Sequence, residues 1–131
     1  MIRGTQLLVL VVMFALVSLC EVRAEDAKPI EAGKAEEFKA TAYDLKEKAD
    51  VSISLAFPAG KKAVITEKGD KKTDVHLFVY DAGKTIVAKD DSPGPDCNVD
   101  FTPKEGGTFN IVISNLGPGD NHVNLSIEIA K

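Results

Sequence analysis

Residues 51–57 read VSISLAF, with Val51, Ile53, Leu55 and Phe57 on one parity and Ser52, Ser54 and Ala56 on the other. Side chains alternate across a strand with period two, so this stretch predicts a β-strand with one face in a core and the other wet. The same period returns downstream. Phe109, Ile111 and Ile113 alternate with Asn110 and Ser114, with Val112 on the minor face. Val123, Leu125, Ile127 and Ile129 alternate with His122, Asn124, Ser126 and Glu128. Half-buried strands of this kind belong to antiparallel sheets. The stretch VHLFVY (75–80) is apolar on both parities, which predicts a central strand covered on both faces or one beside a neighbouring loop.

Turn chemistry separates these runs. PheProAlaGly at 57–60 puts proline at a turn's second position and glycine at its fourth. AspAlaGlyLys at 81–84 predicts a tight hairpin in which Gly83 takes positive φ. Gly106–Gly107 and the run from Gly117 to Asn121 punctuate the last two strands. About eight strands follow, near 38–45, 51–57, 61–66, 73–80, 84–89, 97–102, 108–114 and 122–130, with no long helical pattern between them. The expected fold is all-β: a single antiparallel β-sandwich, jelly-roll-like, over residues 37–131.

The amino-terminal residues follow other rules. Arg3 precedes an apolar run, Leu7 to Leu19, of about 13 residues, against the roughly 20 that a membrane-spanning helix needs. Val22-Arg23-Ala24 fits a cleavage site, so residues 1–24 are expected to be a secretory signal peptide. Cys20 offers a lipid-anchored alternative, but Leu19 stands where that processing wants a small residue, and ordinary export is the expectation. Residues 25–36, charged and alanine-rich, are expected to form a flexible leader with at most a short helical turn. The exported chain would be secreted or periplasmic, with no membrane span after cleavage.

The formal net charge is −4, and cleavage removes Arg3, Arg23 and Glu21, making it one unit more negative. Every remaining basic residue is a lysine. An acidic chain without arginine lacks the bidentate fork that grips phosphate and guanine, which argues against nucleic acid. Cys97 alone remains after cleavage, so no intrachain disulfide is expected, and its place in a strand predicts a small buried side chain.

The run AlaGlyLysLysAlaValIle (59–65), the stretch 73–90 (TDVHLFVYDAGKTIVAKD) and the stretch 97–115 (CNVDFTPKEGGTFNIVISN) together resemble the bacterial pre-peptidase C-terminal domain family. The shared pattern is a strand entered through Ala-Gly, an Asp-led apolar strand ending in Asp, a glycine turn and an acidic loop. An ending of Phe-x-Pro and alternating apolar residues follows, and the match covers roughly Phe38 to Glu128. Members are usually appended to secreted peptidases or other exported enzymes as non-catalytic binding or targeting modules, and some related collagen-binding modules bind calcium. The resemblance therefore implies a binding module, although this sequence carries no enzyme domain beside it. The relatives' calcium ligands do not map residue by residue onto this chain.

Three chemistries deserve weighing on the residues themselves. The stretch KDDSPGPDCNVD (89–100) holds four carboxylates. Cys97, Val99 and Phe101 alternate into the core, so Asp100 points outward and Asp90, Asp91 and Asp96 remain as candidate calcium ligands. Calcium wants six to eight oxygens, and this spacing is not that of an EF-hand; the competing reading is a solvated turn built by aspartate and proline chemistry. For catalysis, Asp74 and His76 share a strand face, and Ser92, Ser114 or Ser126 would complete a triad on paper. No nucleophile-elbow or HisGluxxHis motif accompanies them, and His76 shares its face with Phe78 and Tyr80, the pattern of a packed histidine. For sugars, there is no tryptophan, and Tyr43 is the candidate partly exposed contact.

The expected function is that of an exported non-catalytic binding or adhesion module, its partner a protein or polysaccharide of the cell envelope or extracellular matrix. No cofactor is required by this reading, with calcium as an optional stabiliser. The alternatives are a secreted hydrolase using His76 and Asp74, and a self-associating structural protein of the cell envelope.

Overall fold

The computed structural model describes residues 30–131; the expected signal peptide and residues 25–29 of the expected leader lie outside the described residues. Nine strands occur among the described residues: β1 (Ile30–Lys34), β2 (Thr41–Leu45), β3 (Asp50–Phe57), β4 (Ala63–Gly69), β5 (Asp74–Tyr80), β6 (Ile86–Asp90), β7 (Cys97–Phe101), β8 (Gly107–Gly117) and β9 (Asn121–Ile129). They make two sheets, ordered β1-β3-β8-β5-β6 and β2-β9-β4-β7. With β1 set aside, these are the two four-stranded orders of a jelly roll, the fold the strand pattern predicts.

The period-two pattern explains why the sheets stack. The inward parity gives Ile53, Leu55 and Phe57 on β3, Val75, Leu77 and Val79 on β5, and Phe109, Ile111 and Ile113 on β8. Ala63 and Ile65 on β4, Cys97 and Val99 on β7, and Val123 and Leu125 on β9 face them from the other sheet. Each large aliphatic side chain so buried contributes about 1.5–3 kcal/mol. In β5 the second apolar parity is a half-buried ladder on the outer face, where His76, Phe78 and Tyr80 follow one another at ring separations of 6.1 and 6.3 Å.

Two expectations need correction. The leader reading fails for residues 30–34, which form β1 and pair in parallel with β3, Ile30 opposite Ile53. The strand has no period-two pattern because it bulges between Glu31 and Lys34, Gly33 takes φ 87°, and its one large apolar residue, Ile30, is exposed. Ala35–Glu37 is the single helical turn that carries the chain across to β2. In the 81–84 hairpin the left-handed residue is Lys84, φ 64°, rather than Gly83. Asp81 holds that turn instead, its carboxylate accepting from the Thr85 N–H at 2.9 Å.

Candidate functional site

The acidic loop joins β6 to β7 at an edge of the sandwich, and the structure gives each of its aspartates a separate task. Asp90 Oδ1 accepts from the Ser92 hydroxyl at 2.6 Å and from the Ser92 N–H at 3.1 Å, while Oδ2 accepts from the Asn98 N–H at 2.9 Å. The Ser92 hydroxyl, chiefly, holds the Asp90 carboxyl below the usual range. Asp91 pairs with Lys89 at 3.4 Å, and Asp96 Oδ1 accepts from the Gly69 N–H at 3.2 Å. Among the described residues no three histidine, cysteine or acidic side chains are gathered around one metal position. The three candidate aspartates thus have separate partners along the loop.

Beneath the loop lies a residue that the sequence reading placed outside any strand. Glu67 is fully buried on the inward parity of β4, continuing the line of Ala63 and Ile65, and neither carboxylate oxygen has a hydrogen-bond partner. Burial pushes its pKa up to about 7, the adjacent Cys97 pulls the other way without making a well-formed hydrogen bond, and Asp96 and Asp90 push upward. Beside it, Cys97 is buried and free, its thiol donating to the Val75 carbonyl at 3.0 Å. Burial, chiefly, drives that thiol's pKa upward, the opposite of what a nucleophile needs. Reading β4 one residue further would have found Glu67 by parity alone.

The catalytic candidates come together only in part. His76 Nε2 stands 3.4 Å from Asp74 Oδ1, longer than a good hydrogen bond, and its ring meets Phe78 edge-on. The β5–β8 register sets Ser114 opposite His76. Ser92 is engaged with Asp90, and Ser126 stands opposite Thr66 in the other sheet. The result is a row of side chains on a sheet face without the aligned base–orienter bond of a triad. A second pair was not foreseen: His122 Nδ1 donates to Asp44 across the β2–β9 ladder, and that bond, chiefly, raises the His122 pKa. Tyr43 packs its ring against the core, and burial raises its pKa.

A separate concavity lies at the end of the sandwich where the 81–84 hairpin faces the 102–108 segment. It is a cleft of about 740 Å³. Phe101 and Phe109 reach it from the cluster they form with Phe57, with ring centroids 5.1 to 5.6 Å apart. Val87 lines the cleft from β6 and is the extra residue of a bulge, since Ala88 opposes Val79 and Ile86 opposes Tyr80. Bulges re-aim side chains in this way. The far wall is bare backbone at Gly106 and Gly107, braced by the Gly60 N–H donating to the Pro103 carbonyl at 2.7 Å. No histidine or cysteine lines this cleft.

No protein-family model and no curated protein sequence matches the chain. Solved structures do match. One is the pre-peptidase C-terminal domain of a collagenase from Bacillus anthracis, at a TM-score of 0.55 and 11% identity, covering 77% of this chain and 95% of that one. Another is PliG of Aeromonas hydrophila, a periplasmic inhibitor of g-type lysozyme, at a TM-score of 0.50 and 12% identity, covering 77% of this chain and all of that one. At such identities the likeness is one of fold: the chain has the β-sandwich fold of a pre-peptidase C-terminal domain.

Proposed function

We propose that the protein is an exported, non-catalytic binding module of the pre-peptidase C-terminal type that holds a protein or polysaccharide outside its cell. The observation that carries this reading is the end cleft, whose floor is aromatic, whose rim is polar and whose lining offers no nucleophile paired with a base. Sandwich folds place binding groups on end loops held by a rigid scaffold, which is where this cleft lies. The two similar structures support the reading, one being a domain of a collagenase and the other an inhibitor that acts on an enzyme. Export rests on residues 1–24, and the periplasmic source of the lysozyme inhibitor is in keeping with it.

The test has two arms. Purified protein is assayed on a panel of esters and peptides beside His76→Ala; no turnover is expected, and turnover abolished by that change would replace the module with a hydrolase. Immobilised protein is then offered the envelope fraction and culture medium of its own cells. The reading expects a saturable partner other than the protein itself, and concentration-dependent self-association as the sole interaction would favour the structural alternative.

A further inference from the structure

Resting on the binding-module reading, we propose that the end cleft takes an extended polypeptide segment that presents an aromatic or aliphatic side chain flanked by lysine or arginine. Three features of the cleft point to that occupant.

The first is a strand edge beside an apolar floor. β6 ends its sheet, so its outer edge has no strand partner among the described residues. The two sheets close on this side near Asp90 and Asn98, where carboxylate meets N–H at 2.9 Å. Towards the other end of β6 they part, and Val87 and Phe101 flank the opening. Ile86 is 47% exposed and Val87 40%, so two large apolar residues stand uncovered on an edge strand. An extended segment alongside β6 gains main-chain pairing there while one side chain drops against the phenylalanines.

The second is charge. Three carboxylates line the cleft, Asp81, Asp100 and Glu105, against one lysine, Lys104. Lys62 already serves Asp100 at 3.4 Å and Asp81 Oδ1 accepts the Thr85 N–H, which leaves Glu105 and the second oxygen of Asp81 for an incoming cation. Basic residues on either side of the apolar anchor complement that rim.

The third is the bare wall. A Cβ built at Gly107 meets no atom within 4 Å, and the residue has no left-handed φ, so a side chain there extends into unoccupied space. Glycine at this position leaves backbone open to close approach. A sugar would need a broad exposed ring face for stacking, whereas Phe109 is only 8% exposed and Phe101 is partly covered.

The experiment titrates isotope-labelled exported protein with an acetylated Gly-Lys-Phe-Lys-Gly peptide, beside Gly-Lys-Ser-Lys-Gly and Gly-Glu-Phe-Glu-Gly. The lysine–phenylalanine peptide should shift the amides of Gly83, Val87, Phe101 and Gly107, and both controls should bind about tenfold more weakly. Gly107→Phe should plug the cleft and remove the shifts. Glu105→Lys, a surface change that leaves the core intact, should bring the two charged peptides to about equal affinity. Absence of saturable shifts, shifts away from the cleft, or binding indifferent to both variants would each overturn the proposal. The two readings fail separately: a partner from the envelope fraction that Gly107→Phe binds as well as wild type removes the cleft and leaves the module standing, whereas the absence of any such partner removes the module.

Discussion

Asp90 Oδ2 accepts the main-chain N–H of Asn98, eight residues further along, at 2.9 Å. With Ser92 held on the other oxygen, one carboxylate closes both ends of the acidic loop. Asp91, next in the chain, makes only an exposed pair with Lys89. Asp90→Ala should therefore cost roughly 1–2 kcal/mol in urea denaturation, because it removes three hydrogen bonds to one charged acceptor at once. Asp91→Ala should stay within about 0.5 kcal/mol. Equal costs for the two would show that the loop does not depend on Asp90.

The same arrangement bears on calcium. Asp90 and Asp96 already accept main-chain N–H groups, so calcium ligation would have to break bonds that hold the loop. Millimolar calcium should leave the thermal midpoint of the wild-type protein unmoved. A rise in Tm that disappears in the Asp90, Asp91 and Asp96 triple alanine variant would establish the metal site instead.

The difference between what the sequence reveals and what it hides follows from range. Strand faces and turns are local, so period two together with the turn residues marked the eight jelly-roll strands and put Asp74 and His76 on one face. Pairing between strands is not local. The Asp44–His122 contact joins residues 78 apart and exists only because β2 lies against β9. The cleft hides for the same reason: Asp81, Val87, Phe101 and Gly107 sit at turns and strand ends that read separately as punctuation. β1 escaped because pairing with β3, rather than any pattern of its own, makes it a strand. Glu67 was within reach, but ending β4 at Thr66 cut it from the parity that carries it inward.

Asn115 offers a sharper test of how the end opposite the cleft is built. Fully buried, it shares the two Nδ2 hydrogens among the carbonyls of Leu45, Lys46 and Gly119, and its Oδ1 accepts from the Gly117 N–H. One side-chain amide thus joins the end of β2 to the β8–β9 turn. Asn115→Ala strands the buried Leu45 carbonyl and Gly117 N–H and should cost about 2–4 kcal/mol, measured by chemical denaturation. A cost under about 1 kcal/mol would mean that the turn holds itself together by other bonds.

Glu67 sets a pH dependence whose sign is opposite to that of an ordinary paired carboxylate. Desolvation raises its pKa from 4.5 to about 7 in the fold, so the folded protein prefers the neutral acid. Asp90 and Asp96 oppose its ionisation as well, and the neighbouring Cys97 carries a thiol that burial keeps protonated. Stability from this group is complete below pH 4.5 and is lost as pH rises through about 7, above which both folded and unfolded chains are ionised. The loss should amount to roughly 2–3 kcal/mol between those limits. Asp90, whose pKa is lowered, acts in the other sense, its contribution falling away at pH values below 3.8. The two therefore separate on the pH axis. Urea midpoints measured from pH 4.5 to 8 should decline more steeply in the wild-type protein than in Glu67→Gln, where only the decline from His122, whose pKa Asp44 raises, remains. Glu67→Met, apolar and of similar length, should exceed wild type most at pH 8, where the wild-type carboxylate is charged and unpartnered. Parallel profiles for wild type and Glu67→Gln would show that the carboxyl finds a compensating partner when it ionises.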